Sequence, residues 1–194
     1  MAMILATNNN GKIKEIKEIL KDYPIFSLKE KNINIEVEEN ESSFYGNALK
    51  KAKSIYNITK EPVIADDSGL CITSLNDFPG VFTHRFLGEK ATDEERNAEL
   101  IARVDKTGNR HAKIICNLVY YDGINTIVGT GKLEGNIAKY PRGTNGFGFD
   151  PIFELKSGKT LAELTLEEKN KISARYLATI DLRQKMNDIL KIKN

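Results

Sequence analysis

MILATNNNGKIKEIKEIL, residues 3–20, sets an apolar run against a polar corner and then returns to isoleucine at helical spacing. Met3 to Ala6 reads as a buried strand. Ile13, Ile16, Ile19 and Leu20 recur at three- and four-residue steps, so Lys12 to Leu20 reads as an amphipathic helix packed on that strand. A strand that turns directly into a helix is the opening of an α/β unit. The corner between them, Thr7-Asn8-Asn9-Asn10-Gly11-Lys12, is dense in donors. The first amides of a helix lack intrahelical partners, the positive end of its dipole faces the corner, and Thr7, Asn9 and Lys12 add side-chain donors. Such a corner can cradle a phosphate. From its own residues it reads equally well as an ordinary N-cap followed by a solvated lysine. It is not the G-x-x-x-x-G-K-[ST] nucleotide loop, because only Gly11 precedes Lys12 and Ile13 follows it.

Outward from this corner, a charged stretch from Lys29 to Ser43 carries a short predicted strand at Ile33 to Val37, and Phe44 to Ile58 reads as a second helix. Val63-Ile64-Ala65 reads as a buried strand that stops at Asp66-Asp67-Ser68-Gly69. Thr92 and Glu95 have capping-box spacing, which predicts a helix to about Val104. Ala112 to Tyr121 and Asn125 to Leu133 read as strands paired across a turn at Asp122-Gly123. Residues 140–151, YPRGTNGFGFDP, have neither period and read as loop. Thr165 and Glu168 form a second capping-box pair, which predicts one long C-terminal helix with Leu182, Met186, Ile189 and Leu190 in its buried stripe. No internal repeat or linker interrupts the chain. The expectation is one α/β domain over 1–194, with a mixed sheet because its middle strands are hairpin-paired, and two lobes around a cleft.

Composition narrows the function classes. With 194 residues and 40% apolar content the chain can build a proper core. Basic and acidic residues number 29 and 27, so a net charge of +2 gives no field that would draw in nucleic acid or an anionic membrane. No apolar run reaches membrane-spanning length, and the N-terminus lacks a basic segment followed by a long apolar stretch. Cys71 and Cys116 lie in apolar surroundings without a CxxC partner, which predicts buried, reduced thiols. A soluble, cytoplasmic protein is expected.

Two carboxylates at the end of a buried strand are costly unless a cation is near. Adjacent strand residues point to opposite faces, so one of Asp66 and Asp67 faces the cleft. The acidic stretch Glu36, Glu38, Glu39 and Glu41 can bring a second carboxylate there. Hard oxygen ligands of this kind suit Mg²⁺, which takes one or two carboxylates plus substrate phosphates. Each piece alone also reads as a turn cap or a solvated acidic face. The loop Gly143 to Pro151 offers Phe147 and Phe149 for stacking on a planar base, Asp150 as an acceptor for ring N–H groups, and glycines, Gly148 among them, that let backbone approach a ligand. Taken alone, its aromatics read as core. Lys169 and Arg175 are six residues apart and do not share a helical face well.

In chain order, T-x-N-x-x-K (Thr7, Asn9, Lys12), F-x-x-N-A-x-x-K-A (Phe44 to Ala52), A-D-D-S-G-L (Ala65 to Leu70), F-P-G-V (Phe78 to Val81), P-R-G-T-N-G-F-G-F-D-P-I-F (Pro141 to Phe153) and A-E-L-T-x-E-E-K-x-x-I-S-x-R (Ala162 to Arg175) span nearly the whole chain. The series closely resembles the non-canonical purine nucleoside triphosphate pyrophosphatases, the Ham1-like family. The resemblance implies a long central mixed sheet flanked by helices, two lobes around an active-site cleft, a homodimer, and Mg²⁺-dependent hydrolysis of ITP, dITP and XTP to monophosphate and pyrophosphate. By position it implies that Thr7, Asn9, Lys12 and Lys51 hold phosphates, with Ser68 beside them. Glu39 and Asp67 would hold the metal, Asp67 also serving as base toward water. Phe149 would stack on the purine, Phe147 to Asp150 and Lys169 would line the base pocket, and Ser173 and Arg175 would belong to the motif that reads its oxo edge. Two positions depart from the pattern. Gly46 stands where many members have glutamate, and Ser173-Ala174-Arg175 replaces Ser-His-Arg, removing a donor to the 6-oxo group. The rival readings are a purine nucleotide sensor without catalysis, which has no use for a water-activating carboxylate, and an RNA-binding protein, against which the near-neutral charge counts.

Overall fold

The computed structural model describes residues 2–83, 85–88 and 90–190. In chain order its elements are β1 (Met3–Leu5), α1 (Asn10–Ile19), β2 (Ile25–Ser27), α2 (Phe44–Thr59), β3 (Val63–Ile72), β4 (Phe78–Pro79), α3 (Asp93–Asp105), β5 (His111–Tyr121), β6 (Thr126–Ile137), β7 (Phe153–Glu154), α4 (Leu166–Lys169) and α5 (Ala174–Leu190). The strands form one sheet in the order β2-β1-β3-β5-β6-β7, with β4 paired to β3. β1 runs parallel to both β2 and β3, whereas the β3–β4 and β6–β7 pairs are antiparallel, so the sheet is mixed as expected.

The chain divides into two compact units, each assembled from separate stretches. The first holds Met1–Ser68, Cys116–Gly131 and Ala174–Asn194. Its core joins Ile4 and Ala6, Ala48, Ala52 and Ile55 of α2, Val63 and Ala65 of β3, and Val119 of β5. Helix α1 forms because Asn9 caps it, its side chain accepting from the Lys12 amide at 3.1 Å, while Ile16 turns into the core. Helix α5 lies against α1 and also packs closely on β6: a side chain on Gly131 would collide with the carbonyl of Ala174. The second unit holds Gly69–Ile115 and Lys132–Ser173. Leu100 and Val104 of α3 pack there on Leu70 and Ile72 of β3, with Ile152 and Phe153 beside them. The capping box that opens α3 closes reciprocally, Glu95 N to Thr92 Oγ1 at 3.1 Å and Thr92 N to Glu95 Oε2 at 2.7 Å.

Four expectations change. No strand forms at Ile33 to Val37. Residues 33–40 carry no regular element, and Ile33, Ile35 and Val37 pack against the core without a ladder partner among the described residues. β2, at Ile25–Ser27, lies upstream of the charged stretch instead. β3 does not stop at Ala65 but continues through Asp66 and Asp67 to Ile72, because cations satisfy the buried acid at 66. The Thr165–Glu168 box is formed, yet it opens only the short α4, and α5 begins anew at Ala174. Lys169 at the end of α4 is tied to Asp150 of the second unit, whereas α5 packs in the first, so the path must change between them. Leu182 and Met186 are buried as expected, but Ile189 is 53% exposed, and the buried face of α5 is completed by Ala174, Ala178, Arg175 and Thr179.

Candidate active site

In the first unit the polar corner, β3, α2 and α5 bring one group of candidates together. Thr7 and Asn9 shape the corner, Thr7 Oγ1 accepting from the Asn9 amide at 3.2 Å. Lys12, on the first turn of α1, is buried and places Nζ 3.0 Å from Asp66 Oδ2. Asp66 is fully enclosed. Burial pushes its carboxyl up, but the charges of Lys12, Arg175 and Lys51 outweigh this and hold it well below the usual carboxylate range. Its Oδ1 has no hydrogen-bond partner among the described residues. Arg175, on the first turn of α5, donates from Nη1 to Glu15 Oε2 at 2.5 Å and from Nη2 to Ser68 Oγ at 3.1 Å, with Nε 3.5 Å from Asp66 Oδ2.

Asp67 makes its hydrogen bonds with other partners, in keeping with alternation along a strand. Its Oδ2 accepts from the buried side chain of Asn47 at 2.9 Å and its Oδ1 from the Ser68 amide at 2.8 Å. Burial is the main cause of a carboxyl pKa pushed up to about 6; the Asn47 hydrogen bond opposes the rise and the negative charge of Glu39 adds to it. Glu39 forms an ion pair with Lys51 of α2. Lys51 loses some basicity to burial but gains more from Asp66, Glu39 and Asp67, which raises its pKa.

Neighbouring residues on one strand are thus tuned in opposite directions. Asp66 is an always-charged structural anion locked to two cations. Asp67 is a carboxylate close to its proton at neutral pH, which is the condition for general-base work. Among the described residues no three His, Cys, Asp or Glu side chains gather as a metal cage. The acids whose fields do meet are Glu39 and Asp67; the charge of Glu39 adds to the rise that burial causes at Asp67, and a dication would relieve both. Two carboxylates with the remaining oxygens left to a substrate match the donor set of Mg²⁺.

The second unit collects the other candidates. Asp150 and Lys169 are both buried, Lys169 Nζ meeting Asp150 Oδ2 at 2.7 Å, and the same oxygen accepts from the Phe147 amide at 2.8 Å. The Lys169 ammonium also lies 4.6 Å from the centre of the Phe147 ring. Phe149 packs at the margin of the unit's core, and buried Ser173 donates its amide to the Lys169 carbonyl at 2.9 Å. Residues 140–149 are loop, as read, and the two half-buried rings flank Gly148. Arg175 is the one base-side candidate that the fold assigns to the first unit, alongside Lys12 and Asp66.

Sequence reasoning assigned no role to Glu15 or Asn47. The signal was present for Asn47, since a short amide on the buried face of a helix is unfavourable there without a partner. Glu15 gave none, because acids at that spacing on an amphipathic helix are ordinarily solvated.

A family model described as the Ham1 family matches residues 3–185. The chain is 41% identical over 198 residues to the dITP/XTP pyrophosphatase of Clostridium tetani, covering 98% of each chain. It is 43% identical over 178 residues to the dITP/XTP pyrophosphatase of Bacillus subtilis, covering 89% of this chain and 90% of that one. Among solved structures it resembles a HAM1 protein from Coxiella burnetii, with TM-score 0.89 and 37% identity over 97% of this chain and 99% of that one.

Proposed function

The chain belongs to the Ham1 family, and from that premise we propose that it hydrolyses the deaminated purine nucleoside triphosphates dITP, XTP and ITP to the monophosphate and pyrophosphate. The observation that carries the chemistry is the pair of carboxylates on β3 with separate partners, Asp66 3.0 Å from Lys12 Nζ and Asp67 held by Asn47 within the field of Glu39. In this reading a water oxygen attacks the α phosphorus, the bridging bond to the β-phosphate oxygen breaks, and pyrophosphate leaves. Asp67 takes the proton of the attacking water. Negative charge grows on the leaving pyrophosphate, and donors fixed where it grows lower the barrier. Lys12, Lys51, Thr7, Asn9 and the first amides of α1 would supply them, with Ser68 beside the triphosphate. Glu39 and Asp67 would hold Mg²⁺, which when bound neutralises phosphate charge and polarises the phosphoryl oxygen. Phe149 would stack on the base, with Phe147, Gly148, Asp150, Lys169, Ser173 and Arg175 reading its edge. A sensor that binds without cleaving would have no need of a buried carboxylate tuned like Asp67.

The reading extends to a cytoplasmic homodimer acting on the free nucleotide pool, with no nucleic-acid partner. Among the described residues no helix is long and apolar enough to cross a membrane. The test is product analysis after incubation with Mg²⁺ and, separately, dITP, XTP, ITP and ATP. Pyrophosphate with the monophosphate of the deaminated purines is expected, and EDTA abolishes it. Orthophosphate with a diphosphate, or equal use of ATP, contradicts the reading.

A further inference from the structure

Helix α3 lies outside the motif series that carries the family resemblance, yet two of its side chains hold the aromatic loop. Gly148 sits between Phe147 and Phe149 in left-handed backbone, φ +62°. Its amide donates to Asp93 Oδ2 at 3.0 Å, and its carbonyl accepts from Asn97 Nδ2 at 3.0 Å. Asp93 and Asn97 are four residues apart, so they stand one above the other on one face of α3, and both backbone groups of one residue are gripped by consecutive turns of a rigid element. The carbonyl can only accept, which fixes the Asn97 amide with its nitrogen toward Gly148.

The second observation is the state of Asn97 itself. It is 3% exposed, and its Oδ1 has no hydrogen-bond partner among the described residues. A buried amide oxygen left in that state is unfavourable and calls for an explanation. An apolar residue of similar size would avoid the penalty but could not hold the Gly148 carbonyl. A side chain on Gly148 would meet nothing within 4 Å, so crowding does not account for the glycine. Its left-handed turn does, and that turn reverses the chain between the two rings. On the other side of the loop the Phe147 amide is tied to Asp150, so three side chains fix three successive peptide units.

We propose that Asp93 and Asn97 are positioning residues for nucleobase selection, acting through Gly148 on the placement of Phe147 and Phe149. The inference rests on the reading of residues 147–150 as the base side of the site. Neither residue touches the reacting atoms, so loosening the clamp alters how a base is held and leaves the hold on phosphate alone.

The test measures kcat and KM for dITP and dATP in wild type, Asn97→Ala, Asp93→Ala and Asp93→Asn, with the inhibition constant of inorganic tripolyphosphate as a base-free probe. Asn97→Ala is expected to raise KM for dITP about tenfold with kcat within about threefold, and to narrow the dITP:dATP ratio of kcat/KM by about tenfold. Asp93→Ala acts in the same direction from a half-exposed side chain, which also lies 3.6 Å from Arg96 Nη1. Asp93→Asn, which keeps an acceptor for the Gly148 amide, restores most of the preference. The tripolyphosphate constant stays at its wild-type value throughout. An unchanged dITP:dATP ratio in both alanine variants overturns the inference, as does a loss shared equally by the tripolyphosphate constant. A wild-type protein that cleaves neither dITP nor XTP overturns the proposed function first and this inference with it.

Discussion

The buried amide of Asn47 donates to Asp67 Oδ2 at 2.9 Å while its own oxygen accepts from the Glu41 backbone at 2.9 Å. A helix residue therefore links the acidic stretch before α2 to the carboxylate on β3. A shift of Glu41 reaches Asp67 through this side chain, while Lys51, also on α2, acts on Asp67 through its charge.

Asp67→Asn should remove activity together with the pH-dependent penalty that the raised carboxyl places on the metal-free protein, offset by one lost acceptor, since the new amide nitrogen cannot accept from Asn47 or the Ser68 amide. The folded carboxyl has its pKa raised to about 6 from 3.8. A raised acid contributes stability below its unfolded pKa and loses it as pH rises through the folded one. The charged wild type is therefore penalised above pH 6, by about 1–3 kcal/mol. Thermal unfolding of both proteins should show the stability of the asparagine variant relative to wild type greatest at pH 8 and falling between pH 6 and pH 4. Turnover should fall about 10²- to 10⁴-fold. An advantage that grows toward acid pH would contradict the assignment.

Asp66→Asn should destabilise the fold. It removes the one carboxylate that both Lys12 and Arg175 approach, leaving two buried cations in a field no longer balanced. Breaking a buried pair from one side destabilises by about 3–5 kcal/mol. Denaturant unfolding measures it; a variant as stable as wild type would show that Glu15 alone suffices for Arg175.

Gly46→Ala gains helix propensity worth about 1 kcal/mol. Its new methyl, however, would lie 2.9 Å from Glu41 Cβ, forcing that residue to shift. The Glu41 amide holds Asn47, so the expected outcome is a stability change below about 1 kcal/mol together with lower kcat. Wild-type turnover with a clear rise in unfolding temperature would show that Glu41 yields without disturbing Asn47.

Ala174→His restores the donor that the Ham1-like pattern carries beside Arg175. One net hydrogen bond of about 0.5–1.5 kcal/mol corresponds to a gain of about 2- to 13-fold in the dITP:dATP ratio of kcat/KM. Ala174 is buried against β6, so the ring also has to find room. An unchanged ratio in a folded variant would show that another donor already serves the oxo group.

What the sequence disclosed follows the range of the interactions. The α1 corner, the Thr92 box and the Asp122 turn depend on neighbours within a few residues, and each formed as read. The course of β3 depends on Lys12 and Arg175, far away in the chain, and the acids at 66 and 67 looked like an end until those partners were in place. Ile33 to Val37 had strand alternation without a strand to pair with, which only topology decides. The candidate metal and phosphate residues of the first unit were legible because motif order marks them. Glu15 and Asn97 were not, since a helical acid and a helical amide declare a buried role only when their partners, Arg175 and Gly148, are known.

The division of the chain has a consequence for how this protein can vary. The backbone passes from one unit to the other after Ser68, Ile115, Gly131 and Ser173. No single cut separates the two units: a break after Ser68 leaves the whole second unit joined to two pieces of the first, and a genetic crossover there keeps Asp66 and Asp67 but exchanges Cys116–Gly131 and Ala174–Asn194 along with the aromatic loop's unit. One crossover therefore never exchanges either unit by itself, whereas a point substitution alters one unit and leaves the other's sequence untouched.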